Sequence, residues 1–108
     1  MKITNIESID WHDGILETMS VEKDFVISVL IYSTEDAKSR SFLKLQFKGV
    51  KSILFTCDKS ELEINLNAGN ISNGYVKKNN SGAMIFRLYL VDGYIEVTYE
   101  TVIITENE

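Results

Sequence analysis

The sequence predicts a mainly β fold, α+β at most, with about seven strands in an antiparallel curved sheet or sandwich built from hairpins. Three observations predict it. Apolar side chains recur at every second residue along most of the chain. Turn-forming dipeptides punctuate the alternating runs. Proline is absent, and the six glycines are scattered rather than gathered into a linker. With 108 residues, 44% of them hydrophobic and 25% charged, the chain has material for one core and no room for a second, so residues 1–108 form a single β-rich domain.

A first strand is expected over Lys2–Ile9, where Ile3 alternates with Thr4. Glu22-Lys23-Asp24 separates Ile15–Val21 from Phe25–Tyr32; the second run is apolar on both faces and rich in β-branched residues, the pattern of a central strand. Lys48-Gly49 is expected to turn a hairpin from Phe42–Phe47 into Val50–Cys57, with Leu43, Leu45 and Phe47 alternating against Lys44 and Gln46. The last hairpin rests on Asp92-Gly93, a dipeptide that tolerates the positive φ angles of a two-residue turn. That loop would set Leu90 opposite Ile95, Leu88 opposite Val97 and Phe86 opposite Tyr99 on a core face. The other face would carry Arg87, Tyr89, Tyr94, Glu96, Thr98 and Glu100, with Arg87 diagonal to both glutamates.

One stretch reads two ways. In Asp58–Asn70, Leu62, Ile64 and Leu66 alternate like a strand, whereas Asp58 followed by Glu61 has the spacing of a capping box and Gly69 could stop a helix. The expectation is one short helix near residues 59–67. The stretches Thr34–Ser41 and Asn79–Gly82 are polar loops, and the tail Glu106–Glu108 is expected to fray.

The net charge of −5 and pI near 4.9 argue against direct binding of nucleic acid, which draws on a basic surface. An acidic domain attracts basic partners instead. Residues 1–36 hold eight acidic and two basic side chains, and residues 37–54 hold five basic and no acidic ones, so the folded surface is dipolar if strand order keeps them apart. The single cysteine, Cys57, forms no internal disulfide, and its position after Ile53-Leu54-Phe55 suits a buried small residue. No N-terminal signal-like apolar run and no stretch long enough to cross a membrane is present, so a cytoplasmic protein without membrane contact is expected.

Candidate chemistry is sparse. His12, the only histidine, lies in Trp11-His12-Asp13-Gly14; in an extended chain Asp13 would point to the opposite face and could not orient the ring. The segment therefore reads as a structural corner in which Trp11 anchors a strand edge, Asp13-Gly14 makes the turn and the Asp13 carboxylate accepts backbone amides. One His and one Cys offer no zinc spacing, and the acids match no calcium loop. No phosphate loop, nucleophile elbow or dinucleotide fingerprint occurs. No cofactor, metal or catalytic residue is expected, and the chain is read as a non-enzyme. Asn65, Asn67, Asn70 and Asn73, with Gly69 and Gly74, could rim a pocket for a sugar or amide, or could simply occupy left-handed turn positions. Tyr89 and Tyr94, on the outward face of the last hairpin, have the character of interface residues.

Two stretches, Trp11-His12-Asp13-Gly14-Ile15-Leu16 and Asn67-Ala68-Gly69-Asn70-Ile71-Ser72-Asn73-Gly74-Tyr75, resemble segments of small β-rich bacterial immunity proteins, which neutralise toxins of contact-dependent or polymorphic toxin systems by binding the toxin domain. The resemblance covers about fifteen residues and carries over a role, with Trp11, His12, Asp13, Gly14, Asn70 and Gly74 as motif residues that could serve only the fold. It implies a protein partner, for example a basic nuclease domain. The candidate contacts are Glu35, Asp36, Asp58, Glu61, Glu63, Tyr89, Tyr94, Glu96 and Glu100. The alternative is a β module that binds a small molecule or sugar near Trp11, His12 and the Asn-rich loop.

Overall fold

A computed structural model describes residues 5–32, 40–60 and 69–107. Eight strands follow a 3-10 turn at Ile6–Ser8: β1 (Ile15–Val21), β2 (Phe25–Tyr32), β3 (Arg40–Lys48), β4 (Ser52–Cys57), β5 (Ile71–Lys78), β6 (Met84–Leu90), β7 (Gly93–Tyr99) and β8 (Thr101–Asn107). They form two antiparallel four-stranded sheets, β1-β2-β3-β8 and β4-β7-β6-β5. The mainly β expectation holds in this form. Of the expected short helix, all but Lys59 and Ser60 lies outside the described residues, as do Lys2, Ile3 and Thr4 of the expected first strand. Over the rest of that strand the chain turns instead: the Asn5 side chain accepts the Glu7 amide and caps the 3-10 turn.

Every second residue of the inner strands faces the core. Ile27, Val29 and Ile31 of β2, Leu43, Leu45 and Phe47 of β3, Phe86 and Leu88 of β6, and Ile95 and Val97 of β7 are fully buried. Phe47 stands at the centre. Its ring lies 6.0 Å from Phe25, 5.3 Å from Phe86 and 4.9 Å edge-on from Tyr99, and Phe86 passes the contact on to Trp11 at 5.4 Å. Two sheets are thus joined through one aromatic chain, in offset and edge geometries that aromatic quadrupoles favour.

The expected hairpin at Lys48-Gly49 is a corner instead. β3 pairs with β2 and β8, and β4 pairs with β7, so the chain leaves one sheet at Lys48 and enters the other at Ser52. β7 makes the same crossing into β8 alongside it. The two strands therefore run as one bent ribbon, from Phe42 opposite Asn107 through Lys48 opposite Thr101 to Ser52 opposite Thr98 and Cys57 opposite Gly93. One extra residue is taken up on the β3–β4 side of the bend, where Gly49 adopts a φ of 64° and Glu100 N donates to Lys48 O. Such a bulge lets a strand change sheets without breaking its pairing. The strand that was expected to fray at Glu106 is paired through Asn107 with Phe42.

In the last hairpin the faces are as expected and the register is not. Leu90 pairs with Gly93, Leu88 with Ile95 and Phe86 with Val97, so the loop is Val91-Asp92. The offset of two residues keeps every side chain on its face. Gly93 is committed elsewhere: it lies beside β4 with a φ of 149°, and a Cβ there would sit 2.6 Å from the Thr56 carbonyl carbon. Cys57, expected inside, is exposed at the end of the edge strand β4. Among the described residues the acidic β1–β2 region lies next to basic β3: Lys48 Nζ is 3.5 Å from Asp24, which also accepts from Gln46 Nε2 at 2.7 Å.

Candidate functional site

The two conspicuous sequence segments meet in space. The chain turns at Trp11–Gly14, with Gly14 N donating to Trp11 O at 3.0 Å, and Asp13 takes a φ of 61°. Across from this turn, Asn70 N and Ile71 N both donate to Gly14 O, and Asn70 Oδ1 accepts from Leu16 N at 2.8 Å. The Asn70 carbonyl accepts from Val91 N at the β6–β7 loop. One buried asparagine thus ties the start of β1, the start of β5 and the tip of the last hairpin. Two glycines permit the approach: a Cβ at Gly69 would lie 2.8 Å from Asp13 O, and one at Gly74 would lie 2.8 Å from the Trp11 ring.

This clasp absorbs Trp11, Gly14, Asn70 and Gly74 into the fold. His12 and Asp13 differ from expectation. Positive φ at Asp13 swings its carboxylate back, so that Oδ2 lies 3.3 Å from His12 Nε2, both side chains being largely exposed. The carboxylate that accepts a backbone amide belongs to Asp10, which takes the His12 N–H; Asp13 contributes its carbonyl, to Arg40 Nε at 3.2 Å. Asn73 is exposed, and Asn65 and Asn67 lie outside the described residues.

A different set of residues forms the most developed surface. On the outer face of the second sheet, pairing sets Leu54, Glu96, Arg87 and Tyr75 in one row across β4, β7, β6 and β5, with Thr56, Tyr94, Tyr89 and Asn73 in the next. Arg87 is the hub. Its guanidinium meets Glu96 Oε1 from Nη2 at 2.9 Å and from Nε at 3.1 Å, donates from Nη1 to the Tyr89 hydroxyl at 3.2 Å, and stacks 4.7 Å from the centre of the Tyr94 ring. Tyr75 and Tyr89 rings lie 6.1 Å apart. Here the register correction matters, since Arg87 faces Glu96 directly instead of diagonally.

Ionisation follows the contacts. The Tyr89 hydroxyl accepts from Arg87 and from Tyr75, which lowers its pKa below the usual phenol value. Tyr75, donating to Tyr89 and partly desolvated, is raised. Arg87 is held still more firmly as a cation, first by Tyr89, against the opposing effect of desolvation and with help from Glu96. The result is a charge-neutral, hydrogen-bonded aromatic platform with Tyr75 and Leu54 exposed at 38% and 50%. It is flanked by Asp58 and Asp92 at the hairpin end, where Asp58 N donates to Asp92 O, and by Lys77 beyond Tyr75 on β5.

Of the expected contact residues, the structure brings Tyr89, Tyr94 and Glu96 together and sets Asp58 at their margin. Glu100 does not join them; it lies at the corner over Gly49, where a Cβ would meet its Cγ at 2.7 Å. Glu35, Asp36, Glu61 and Glu63 lie outside the described residues. Arg87 and Tyr75 were not among the expected contacts. The signal for Tyr75 is the alternation of Asn73, Tyr75 and Lys77 with Gly74 and Val76, which marks a strand before the Asn79–Gly82 turn.

Two hollows accompany these features. One of about 280 Å³ lies between the β1–β2 turn and the start of β4, lined by residues 21–25 and 50–53. The other, about 200 Å³, lies beside Trp11 and Gly74, with Ile6, Glu7, Ile9, Tyr75 and Val76. Among the described residues, no group of three or more His, Cys, Asp or Glu side chains could hold a metal ion, and no helix is long and apolar enough to cross a membrane. No protein-family model, curated protein or solved structure matches the chain.

Proposed function

We propose that the protein works by binding another protein, and that its target is a bacterial toxin domain which it neutralises stoichiometrically. The observation that carries the binding role is the Arg87 platform: tyrosine and arginine dominate interface hot spots, and here their rotamers are fixed before any partner arrives. Pre-organisation of this kind lowers the entropy lost on association. The toxin target is supported by the resemblance of the two clasp segments to immunity proteins. The acids at the hairpin end suit a basic partner.

Co-expression with any toxin domain found encoded beside its gene tests the reading. Expected are protection of the host, a 1:1 complex on copurification, and loss of affinity by at least about thirtyfold in Tyr94→Ala or Arg87→Ala with an unchanged fold. No complex and no protection would end the toxin reading; a complex indifferent to both variants would move the interface off this face. The hollow beside Trp11 supports a second reading, a small-ligand site. A compound that raises the melting temperature and loses that effect in Glu7→Ala would favour it.

A further inference from the structure

Among the described residues each sheet has two edge strands, and three of the four carry devices that discourage strand addition. β1 has a bulge between Leu16 and Thr18 with Glu17 in it. β5 has a bulge between Ile71 and Asn73, ends in Lys77-Lys78, and is approached by the 3-10 turn near its middle. β8 ends in Glu106-Asn107. Charges and bulges on edges are the usual protection against pairing with another chain.

β4 has none of these. Ser52–Cys57 reads Ser-Ile-Leu-Phe-Thr-Cys, six residues without a charge, a glycine or a bulge. It exposes apolar groups on both faces, Leu54 at 50% and Phe55 at 39%, although Phe55 pairs with fully buried Ile95 and points to the inner side of its sheet. We infer that β4 is a strand-addition site, and that its occupant is β4 of a second copy of this chain. The inference goes beyond the toxin-binding reading, with which it shares Leu54 at the margin of the platform, and its test is made without any partner.

The choice of a second copy comes from self-complementarity. Two antiparallel copies related by a twofold axis normal to the sheet must pair residues of like parity, because a twofold of that kind keeps each side chain on its face. With Leu54 on the axis, Leu54 faces Leu54 on the outer side, and Ile53 faces Phe55 twice on the inner side. Ser52 faces Thr56 twice, and no charged residue faces a like charge. Lys51 of each copy comes opposite Cys57 of the other, one residue from Asp58 and two from Lys59. Shifting the axis to Phe55 would set each Leu54 opposite a Thr56 and each Ile53 opposite a Cys57, losing the Leu54 self-pair and both Ile53–Phe55 pairs, which disfavours that register. Val21, 63% exposed at the rim of the larger hollow beside the start of β4, extends the apolar margin. A single six-residue strand pair buries less than about 1,200 Å², the size of a weak interface, so a concentration-dependent dimer is expected rather than an obligate one.

Sedimentation velocity of the full chain from about 5 μM to about 1 mM, without any partner, tests this. Expected is a monomer–dimer equilibrium whose dissociation constant rises at least about tenfold in Leu54→Lys, with circular dichroism and melting temperature retained. Ile103→Lys on β8 should leave it unchanged. The register is read by oxidation: in a Cys57→Ser background, Leu54→Cys should form an interchain disulfide and Thr56→Cys should not. A monomer throughout the range, a dimer insensitive to Leu54→Lys, or equal cross-linking at both positions would overturn the proposal. So would protection of the β4 amides only by a foreign protein strand.

Discussion

Replacing Asn70 with alanine removes the acceptor that holds the start of β1. Asn70 is 1% exposed, and its Oδ1 takes the Leu16 amide at 2.8 Å, beside the bulge that follows in β1. The backbone bonds from Asn70 N to Gly14 and from Val91 to the Asn70 carbonyl survive the change, and the Leu16 amide loses its acceptor. Leaving a partly buried amide without a partner costs about 1–3 kcal/mol. For a domain near 100 residues, where about 4 °C of melting temperature corresponds to 1 kcal/mol, the expected drop is about 4–12 °C. Asn73→Ala, in the same segment but exposed, should change stability by less than about 0.5 kcal/mol. Thermal unfolding of both variants, with hydrogen exchange read at the Leu16 amide, is the assay. If Asn70→Ala melts within about 2 °C of the wild type and Leu16 remains protected, asparagine is not the clasp described above and the shared role of the two segments fails.

Three further outcomes follow from single residues. Gly93→Ala should cost about 3 kcal/mol or more in urea unfolding, because a Cβ collides with the Thr56 carbonyl at a φ that side chains avoid; a loss below about 1 kcal/mol would mean that β4 does not approach as described. At Asp13, φ of 61° predicts that Asp13→Val is less stable than Asp13→Gly by more than about 1 kcal/mol, since β-branched residues pay most in the left-handed region. Equal stabilities would contradict the turn. Asp24 has its pKa lowered from the ordinary 3.8, first by the hydrogen bond from Gln46, with burial opposing and Lys48 assisting. A carboxyl depressed in the folded state stabilises above its unfolded value, and that contribution is lost as pH falls from about 4 through the folded pKa. Melting temperature against pH should therefore fall less steeply in Asp24→Asn and in Gln46→Leu than in the wild type over that window; parallel curves would rule out the assigned cause.

The faces of the sheets were legible, and their partners were less so. Alternation in Leu43–Phe47 is local information, and burial follows it residue by residue; the apolar run Phe25–Tyr32 marks an inner strand, and β2 lies between β1 and β3. Pairing depends on what the chain does at each glycine. Lys48-Gly49 carries the same signal whether it closes a hairpin or turns a corner, because positive φ serves both. What distinguishes them lies fifty residues away: the apolar phase of Ile95, Val97 and Tyr99 slips by one before Val102 and Ile104, at Glu100-Thr101. A phase slip inside an unbroken alternating run marks a strand that changes sheets. Its partner must then absorb one residue, as the bend around Gly49 does. The Asp92-Gly93 turn misled for a related reason, since the glycine there was required by a neighbouring strand and not by the loop.

The candidate site divides along a line that residue type alone does not draw. Tryptophan, histidine, asparagine and glycine attract attention because they are unusual, but unusual residues serve tight packing as readily as binding. The useful distinction is where their polar atoms are spent. Asn70 commits its amide, carbonyl and side-chain oxygen to Gly14, Val91 and Leu16, and Trp11 is 3% exposed against Gly74. At 1% and 3% exposure, neither offers surface to a partner. The platform spends its polar atoms laterally instead: Arg87 satisfies Glu96 and Tyr89 within the sheet surface, and the exposed apolar area of Tyr75 and Leu54 stays in view. Lateral pairing removes the desolvation penalty that a lone arginine would bring to an interface. A partner docking here would gain aromatic contact without having to strip water from an unpaired charge, and for that reason the face of Arg87, rather than the corner of His12, carries the proposed binding surface.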